Sequence, residues 1–209
     1  MARYKGPDCR ICRRHGEKLF LKGTKCYTNC TLDRRPNPPG DQGKGRRRKL
    51  SDRGLQLREK QKARFAYGVL ERQFRRYYEE AVRRPGVTGE NLVRILESRL
   101  DNVVYRLGWA DSRDQARQIV SHGHITLNGR KTDIPSARVK VGDVIGWTER
   151  GRKTEYFKTV QANMANAAPP PPWLSRDATA MTARVLAMPT RADGDKTFNE
   201  NVIVEYYSR

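Results

Sequence analysis

The sequence predicts an α+β protein: a helical domain, a small helix-plus-β-hairpin module, and an N-terminal lobe held by a metal. Three features lead there. Leu92, Ile95, Leu96, Leu100, Val103, Val104 and Leu107 recur at helical spacing, as a stripe that packs against a core does. Ile125 and Leu127 alternate up to Asn128-Gly129, a two-residue hairpin signal. Cys9, Cys12, Cys26 and Cys30 form two close pairs in a stretch too poor in apolar residues to build a core of its own.

In chain order, residues 1–48 comprise the cysteine lobe and a basic arm. The cysteines read C-x2-C, thirteen intervening residues, then C-x3-C. Two such knuckles present four thiolates tetrahedrally, so the first expectation is one structural zinc ion, with an iron–sulfur cluster or free thiols as the alternatives. A full thiolate shell leaves no open position for catalysis, and His15 in the loop is a competing ligand that four cysteines make unnecessary. From Arg34 to Lys49 there is no apolar side chain other than proline, and the run closes on Arg46-Arg47-Arg48-Lys49, a strand-tracking arm.

Residues 49–91 read as helices. Ser51 with Asp52 starts one, Leu55 to Tyr67 continues it with Arg58, Lys60, Lys62 and Arg64 exposed, and Gly68 breaks it. Glu71 to Arg83 forms the next, with Phe74, Tyr77, Tyr78 and Ala81 on its apolar side, and Pro85-Gly86 ends it. Residues 92–160 make the module. Its leucine-rich helical stretch runs to Leu107, and a short helix follows from Ser112 to about Ser121, burying Ala116, Ile119 and Val120 and showing Arg113, Gln115 and Arg117 on its other side. The hairpin and further short strands within Val139 to Trp147 complete it. Residues 161–172 form an Ala/Pro-rich connector ending in four prolines, and Val202 to Tyr207 alternates like a terminal strand or packed end.

The charge is uneven. The 209 residues carry 43 Lys and Arg against 23 Asp and Glu, a formal +20. Of this excess, +16 falls in residues 1–84, +4 in 85–160 and none in 161–209. A surplus of that size calls for a polyanion, and 30 Arg against 13 Lys favours nucleic acid, because guanidinium grips phosphate bidentately and stacks on bases. No run approaches the roughly 20 apolar residues of a membrane span, and the start, Met1-Ala2-Arg3-Tyr4-Lys5, has no apolar signal core, so the expectation is a cytoplasmic protein without a membrane partner.

Leu96-Glu97-Ser98-Arg99-Leu100-Asp101-Asn102-Val103-Val104-Tyr105-Arg106-Leu107-Gly108, with Gly123-His124-Ile125 and Asn128-Gly129-Arg130, resembles the signature of the bacterial-type small-subunit ribosomal protein S-four family. The likeness extends to Arg34-Arg35-Pro36, Leu57-Arg58-Glu59-Lys60-Gln61-Lys62, Glu71-Arg72-Gln73-Phe74-Arg75, Trp173-Leu174-Ser175 and the closing Glu205-Tyr206-Tyr207-Ser208-Arg209, nearly the full length. It implies a structural constituent of the small ribosomal subunit. Such a protein binds 16S ribosomal RNA early in assembly of the subunit body, shares a surface with ribosomal protein S-five that affects decoding accuracy, and lines the messenger RNA entry path. It also implies that the RNA-binding module is inserted into the helical domain, so that residues 173–209 return to pack with 49–91. Asp114 stands where the family usually has a basic residue, so no phosphate contact is assigned there. Not all members keep the cysteines, so the metal rests on the spacing in this chain.

Read together, the RNA-binding candidates are Arg113, Arg117, His122, His124, Asn128, Arg130 and Lys131 in the module, with the two histidines either RNA contacts or structural groups. In the arm and helices they are Arg46, Arg47, Arg48, Arg58, Lys60, Lys62, Arg64, Arg72, Arg75 and Arg76. An enzyme is the rival class, since similar modules are attached to RNA-modifying enzymes, but no phosphate loop, nucleophile elbow or placed carboxylate pair is present, nor a segment left to hold one. A zinc-dependent DNA-binding regulator is a second rival, and it predicts preference for duplex DNA. A membrane-surface protein is disfavoured because the cations face no continuous apolar helix side.

Overall fold

Serine, threonine and glycine punctuation sets most of the element boundaries. The computed structural model describes residues 4–40, 49–164 and 167–208. They divide into two units, Met1–Leu92 with Asp195–Arg209, and Val93–Gly194.

In the first unit, α1 (Asp8–His15), α2 (Thr24–Thr28) and α3 (Thr31–Arg34) form the lobe. Its apolar content is small: Ile11, Cys12 and Leu19, with Leu21 and Phe65 packed against them. The Ser51 hydroxyl accepts from the Gly54 N–H at 3.2 Å and caps α4 (Asp52–Ala66), as the sequence suggests. Gly68, at φ 61°, turns the chain into α5 (Glu71–Arg83), which buries Phe74, Tyr77 and Ala81. The tail returns as a helix, α11 (Glu200–Tyr207), contrary to the strand-like alternation of Val202 to Tyr207. The Asn199 side chain caps it, and Ile203 is fully buried while Tyr207, one turn on, stacks on Tyr78 with ring centroids 4.5 Å apart. The i, i+4 pair therefore overrides the apparent period of two.

The apolar stripe from Leu92, the last residue of the first unit's leading segment, to Leu107 in the second unit is buried throughout, but it spans two helices rather than one. Between α6 (Thr88–Glu97) and α7 (Leu100–Arg106), Arg99 adopts an extended backbone and bridges to Arg138. Leu100 N–H donates to the Ala137 carbonyl at 2.8 Å, and Val139 N–H to the Ser98 carbonyl at 2.9 Å. Backbone groups captured by residues 137–139 cannot also continue the helix ladder. Ser112 caps α8 (Arg113–Ser121) through the Gln115 N–H.

Strands β1 (Ile125–Leu127) and β2 (Arg130–Thr132) form the hairpin about Asn128-Gly129, and β3 (Val144–Trp147) pairs with β1. Next come α9 (Glu149–Arg152) and α10 (Glu155–Asn163). The segment expected to join the helical domain instead splits. Strands β4 (Leu174–Asp177) and β5 (Thr182–Val185) complete an antiparallel sheet of order β2-β1-β3-β5-β4, and only residues from Asp195 onward lie in the first unit. The reason is a buried, alternating face: Ala183 and Val185 point inward with Met181 and Leu174 into the cluster that holds Trp109, Ile145, Trp147 and Phe157. Without β5, strand β3 would present an open edge. No helix among the described residues is long and apolar enough to cross a membrane.

Candidate nucleic-acid interface

The basic residues sort by whether a carboxylate of the same chain has claimed them. On α4 most have been claimed. Lys60 is 3% exposed and donates to Glu71 at 2.6 Å; Lys62 is 6% exposed and donates to Glu59 at 2.6 Å and Glu17 at 2.9 Å. Burial works against the Lys62 charge, but its two carboxylate bonds more than offset this and hold its pKa above the ordinary value. Arg58 donates to the His15 carbonyl. Arg64 lies over the Phe65 ring, 4.2 Å from its centroid, with its guanidinium 3.7 Å from Glu71, and burial lowers its pKa. The expectation that these four side chains are exposed is therefore corrected: each reaches into the first unit.

Helix α5 is the opposite case. Its buried side carries Phe74, Tyr77 and Ala81, so Arg72, Arg75 and Arg76 face solvent at i, i+3 and i+4, with Arg83 exposed further along. Of the three, Arg75 makes a surface pair with Glu79 at 3.2 Å. Arg46, Arg47 and Arg48 lie outside the described residues.

In the module, two candidates turn inward. Glu97, wholly buried, takes a two-pronged contact from Arg106 (2.7 and 3.0 Å) and a bond from the Asn102 amide at 2.7 Å. Arg113 then donates to the Asn102 side-chain oxygen at 2.8 Å and lies over the Tyr105 ring. Beside this chain, Asp101 takes two bonds from Arg99 (2.5 and 3.0 Å) and lies 3.7 Å from Arg117, which is 8% exposed. Arg113 and Arg117 thus tie α8 to α7 instead of forming its outer basic side, a correction whose cause is the acidic pair Glu97 and Asp101 in the preceding helices. Asn128 is also structural. At φ 51° it donates to Asp143 and accepts from the Val144 N–H, both at 2.8 Å, which fixes the hairpin turn.

His122, Arg130 and Lys131 are exposed, and His124 is half-buried with its ring centroid 6.0 Å from that of His122. Burial lowers the His124 pKa, and the nearby charges of His122, Arg150 and Lys131 lower it further. Arg150, exposed on α9, is a member of this group that sequence reasoning omitted. Its signal was available: Thr148, a helix-capping residue, opens the basic run Arg150, Arg152, Lys153.

The four cysteines line one pocket, with Asp8, Lys22 and Lys25 among its other walls. All four are free thiols, Cys12 and Cys26 buried, Cys9 and Cys30 half-buried. Burial pushes the Cys12 thiol pKa up, and proximity to the other three sulfurs adds to the shift. The Lys22 N–H donates to the Cys26 sulfur at 3.3 Å, a bond that steadies a thiolate. His15 is not part of the pocket wall; burial first, then Arg58 and Lys62, lower its pKa to about 4. Among the described residues no group of three or more His, Cys, Asp or Glu stands at metal-holding separation. The donor set therefore fits zinc in kind and in sharing one pocket, but not in spacing.

Residues 3–97 match the family model described as the ribosomal protein S4/S9 N-terminal domain, and residues 98–145 match the S4 domain. Proteins named small ribosomal subunit protein uS4 from Heliobacterium modesticaldum (56% identical over 210 residues), Acetivibrio thermocellus (57% over 212) and Dehalococcoides mccartyi (53% over 209) are similar along 100% of both chains. With matched models across residues 3–145 and relatives of this identity across its whole length, the chain belongs to the small ribosomal subunit protein uS4 family.

Proposed function

We propose that this chain is a structural, non-enzymatic constituent of the small ribosomal subunit in the cytoplasm, binding 16S ribosomal RNA and helping to nucleate assembly of the subunit body. The observation that carries the reading is the solvent-facing arginine row Arg72, Arg75, Arg76 on α5, whose opposite side is packed on α11 residues. Guanidinium groups fixed on a rigid helix meet phosphates without loop-ordering cost. His122, Arg130, Lys131 and Arg150 supply a second contact set at the hairpin and α9. Neighbouring small-subunit proteins, ribosomal protein S-five among them, and messenger RNA at the entry path are the further partners of this reading, with translational accuracy as the shared outcome.

The test is affinity for purified 16S ribosomal RNA against salt. With about six to ten phosphates neutralised, the association constant should fall by about 10³- to 10⁵-fold between 50 and 200 mM salt. A flat salt dependence, or preference for duplex DNA in direct competition, would overturn the reading.

For the lobe, the reading is that Cys9, Cys12, Cys26 and Cys30, drawn closer together than they stand here, hold one zinc ion that cross-links α1 to the residues around α2. Support comes from their common pocket and from a lobe whose apolar cluster is too small to hold it alone. Metal analysis should return one zinc per chain, lost in the Cys9→Ser, Cys12→Ser variant. Iron with inorganic sulfide would mark a cluster instead.

A further inference from the structure

We propose that Phe20 and Tyr27 form a stacking platform for an unpaired RNA base on the cysteine lobe, a contact separate from the phosphate-facing rows and resting on the RNA-binding reading above. Tyr27 is 70% exposed, the most exposed large hydrophobic side chain among the described residues. Its ring is nevertheless held, stacked on Phe20 with centroids 5.1 Å apart and planes at 27°.

That arrangement is maintained against a local cost. Phe20 has φ 51°, in the left-handed region that bulky residues avoid. The other non-glycine residues there are Asn128, which tolerates it, and Met181, which is buried in the sheet core. Phe20, by contrast, is half-buried in the lobe, outside its small apolar cluster. Leu19, wholly buried, anchors the chain just before it, and the Lys22 N–H to Cys26 sulfur bond closes the loop just after. The strained residue is thereby pinned on both sides, with its ring beneath Tyr27. A pair of aromatic rings prearranged at the surface lowers the entropic cost of receiving a third planar group.

The surroundings favour a nucleotide over an apolar peptide. From Lys18 to Thr28 the chain has three lysines and no acidic residue. Lys25, two residues from Tyr27 on α2, is exposed, while Lys18 and Lys22 are paired with Asp33 and Asp8. Stacking accepts any base because every base has a π-face, so this contact adds affinity where the strand is unpaired without selecting a sequence.

The experiment uses the full chain and purified 16S ribosomal RNA, with dissociation constants measured across a salt series. Tyr27→Ala and Tyr27→Leu should each weaken binding by on the order of 5- to 100-fold, while Tyr27→Phe stays within about twofold of wild type. The salt slope should be the same in all four proteins, because no phosphate contact is removed. Short-wavelength photocrosslinking of the wild-type complex should give an RNA adduct at Tyr27 or Phe20. Wild-type affinity in Tyr27→Ala, or rescue by Tyr27→Leu, overturns the platform and leaves the RNA-binding reading intact. So does normal RNA affinity with lost incorporation into ribosomal particles, which would mark a protein contact. Failure of the wild-type chain to bind the RNA overturns both.

Discussion

Helices α4 and α5 each carry several cations, and they use them in opposite ways. Lys60 and Lys62 lie almost out of solvent against Glu71, Glu59 and Glu17, whereas Arg72, Arg75 and Arg76 point away from the buried face of their helix. The module repeats the contrast, with Arg113 and Arg117 turned toward Asn102 and Asp101 and with Arg130 and Lys131 exposed on β2. A cation is therefore available to RNA where the fold has not buried it against a partner of its own, and the Arg75–Glu79 pair, exposed on both sides, leaves Arg75 in reach of solvent. Composition measures the total charge; the acidic residues, through where they fold, decide how much of it remains outward.

This contrast can be broken by mutation. The largest effect belongs to the inward set. Glu97 has no exposed side-chain surface, so Glu97→Ala removes the buried carboxylate shared by the Arg106 guanidinium and the Asn102 amide, leaves the amide only the residue 97 backbone carbonyl of these two acceptors, and should cost about 3–5 kcal/mol in urea unfolding. The salt slope of RNA binding by the folded variant, measured without urea, should be unchanged. A variant as stable as wild type would show the network to be incidental.

His15 gives the next effect, through pH. Its pKa is lowered to about 4 in the folded chain from an ordinary 6.5, so below pH 6.5 the unfolded chain takes up a proton that the folded chain refuses. Its stabilising contribution is thus full above pH 6.5 and is lost as pH falls toward 4, by up to about 1.4 kcal/mol per unit. His15→Gln should remove that pH-dependent loss, so that the variant's stability falls less steeply than wild type's between pH 6.5 and 4, and parallel curves for wild type and variant would refute it.

Lys62→Met tests the α4 reading. Its partners Glu59 and Glu17 keep some access to water, so the expected loss is about 1–3 kcal/mol of stability, with an unchanged salt slope for RNA. Arg75→Ala on α5 should show the reverse pattern and the smallest stability change. It should stay within about 0.5 kcal/mol of wild type while the salt slope falls by about 0.7–0.9. If Lys62→Met lowers the slope and Arg75→Ala does not, the division between the two helices is wrong.

Local signals were legible wherever one residue decides one geometry. Ser51 and Ser112 cap their helices, Gly68 breaks α4, and Asn128-Gly129 makes the hairpin, because each acts on backbone groups within a few residues. The readings that failed depended on distant partners. Val202 to Tyr207 alternates in hydrophobicity like a strand, yet packing on α4 and α5 makes it helical, so that of the two alternatives, terminal strand or packed end, only the strand fails. Thr182 to Val185 alternate in burial as a strand on any sheet would, and the place of β5 beside β3 follows from an edge that needed covering.

The sequence by itself determined that this is a basic α+β protein of the uS4 family, with two cysteine knuckles and most of its positive charge in the first 84 residues. Those properties are carried by residue identity and short-range spacing, which survive without coordinates. Only the tertiary structure decided which cations face outward, that the four thiols share one pocket, and that Tyr27 stands exposed on a strained Phe20. Each of these joins residues far apart in sequence or distinguishes two faces of one helix. A linear pattern fixes how many charges and rings a chain has, while burial and ion pairing, which depend on the whole fold, fix where they can act.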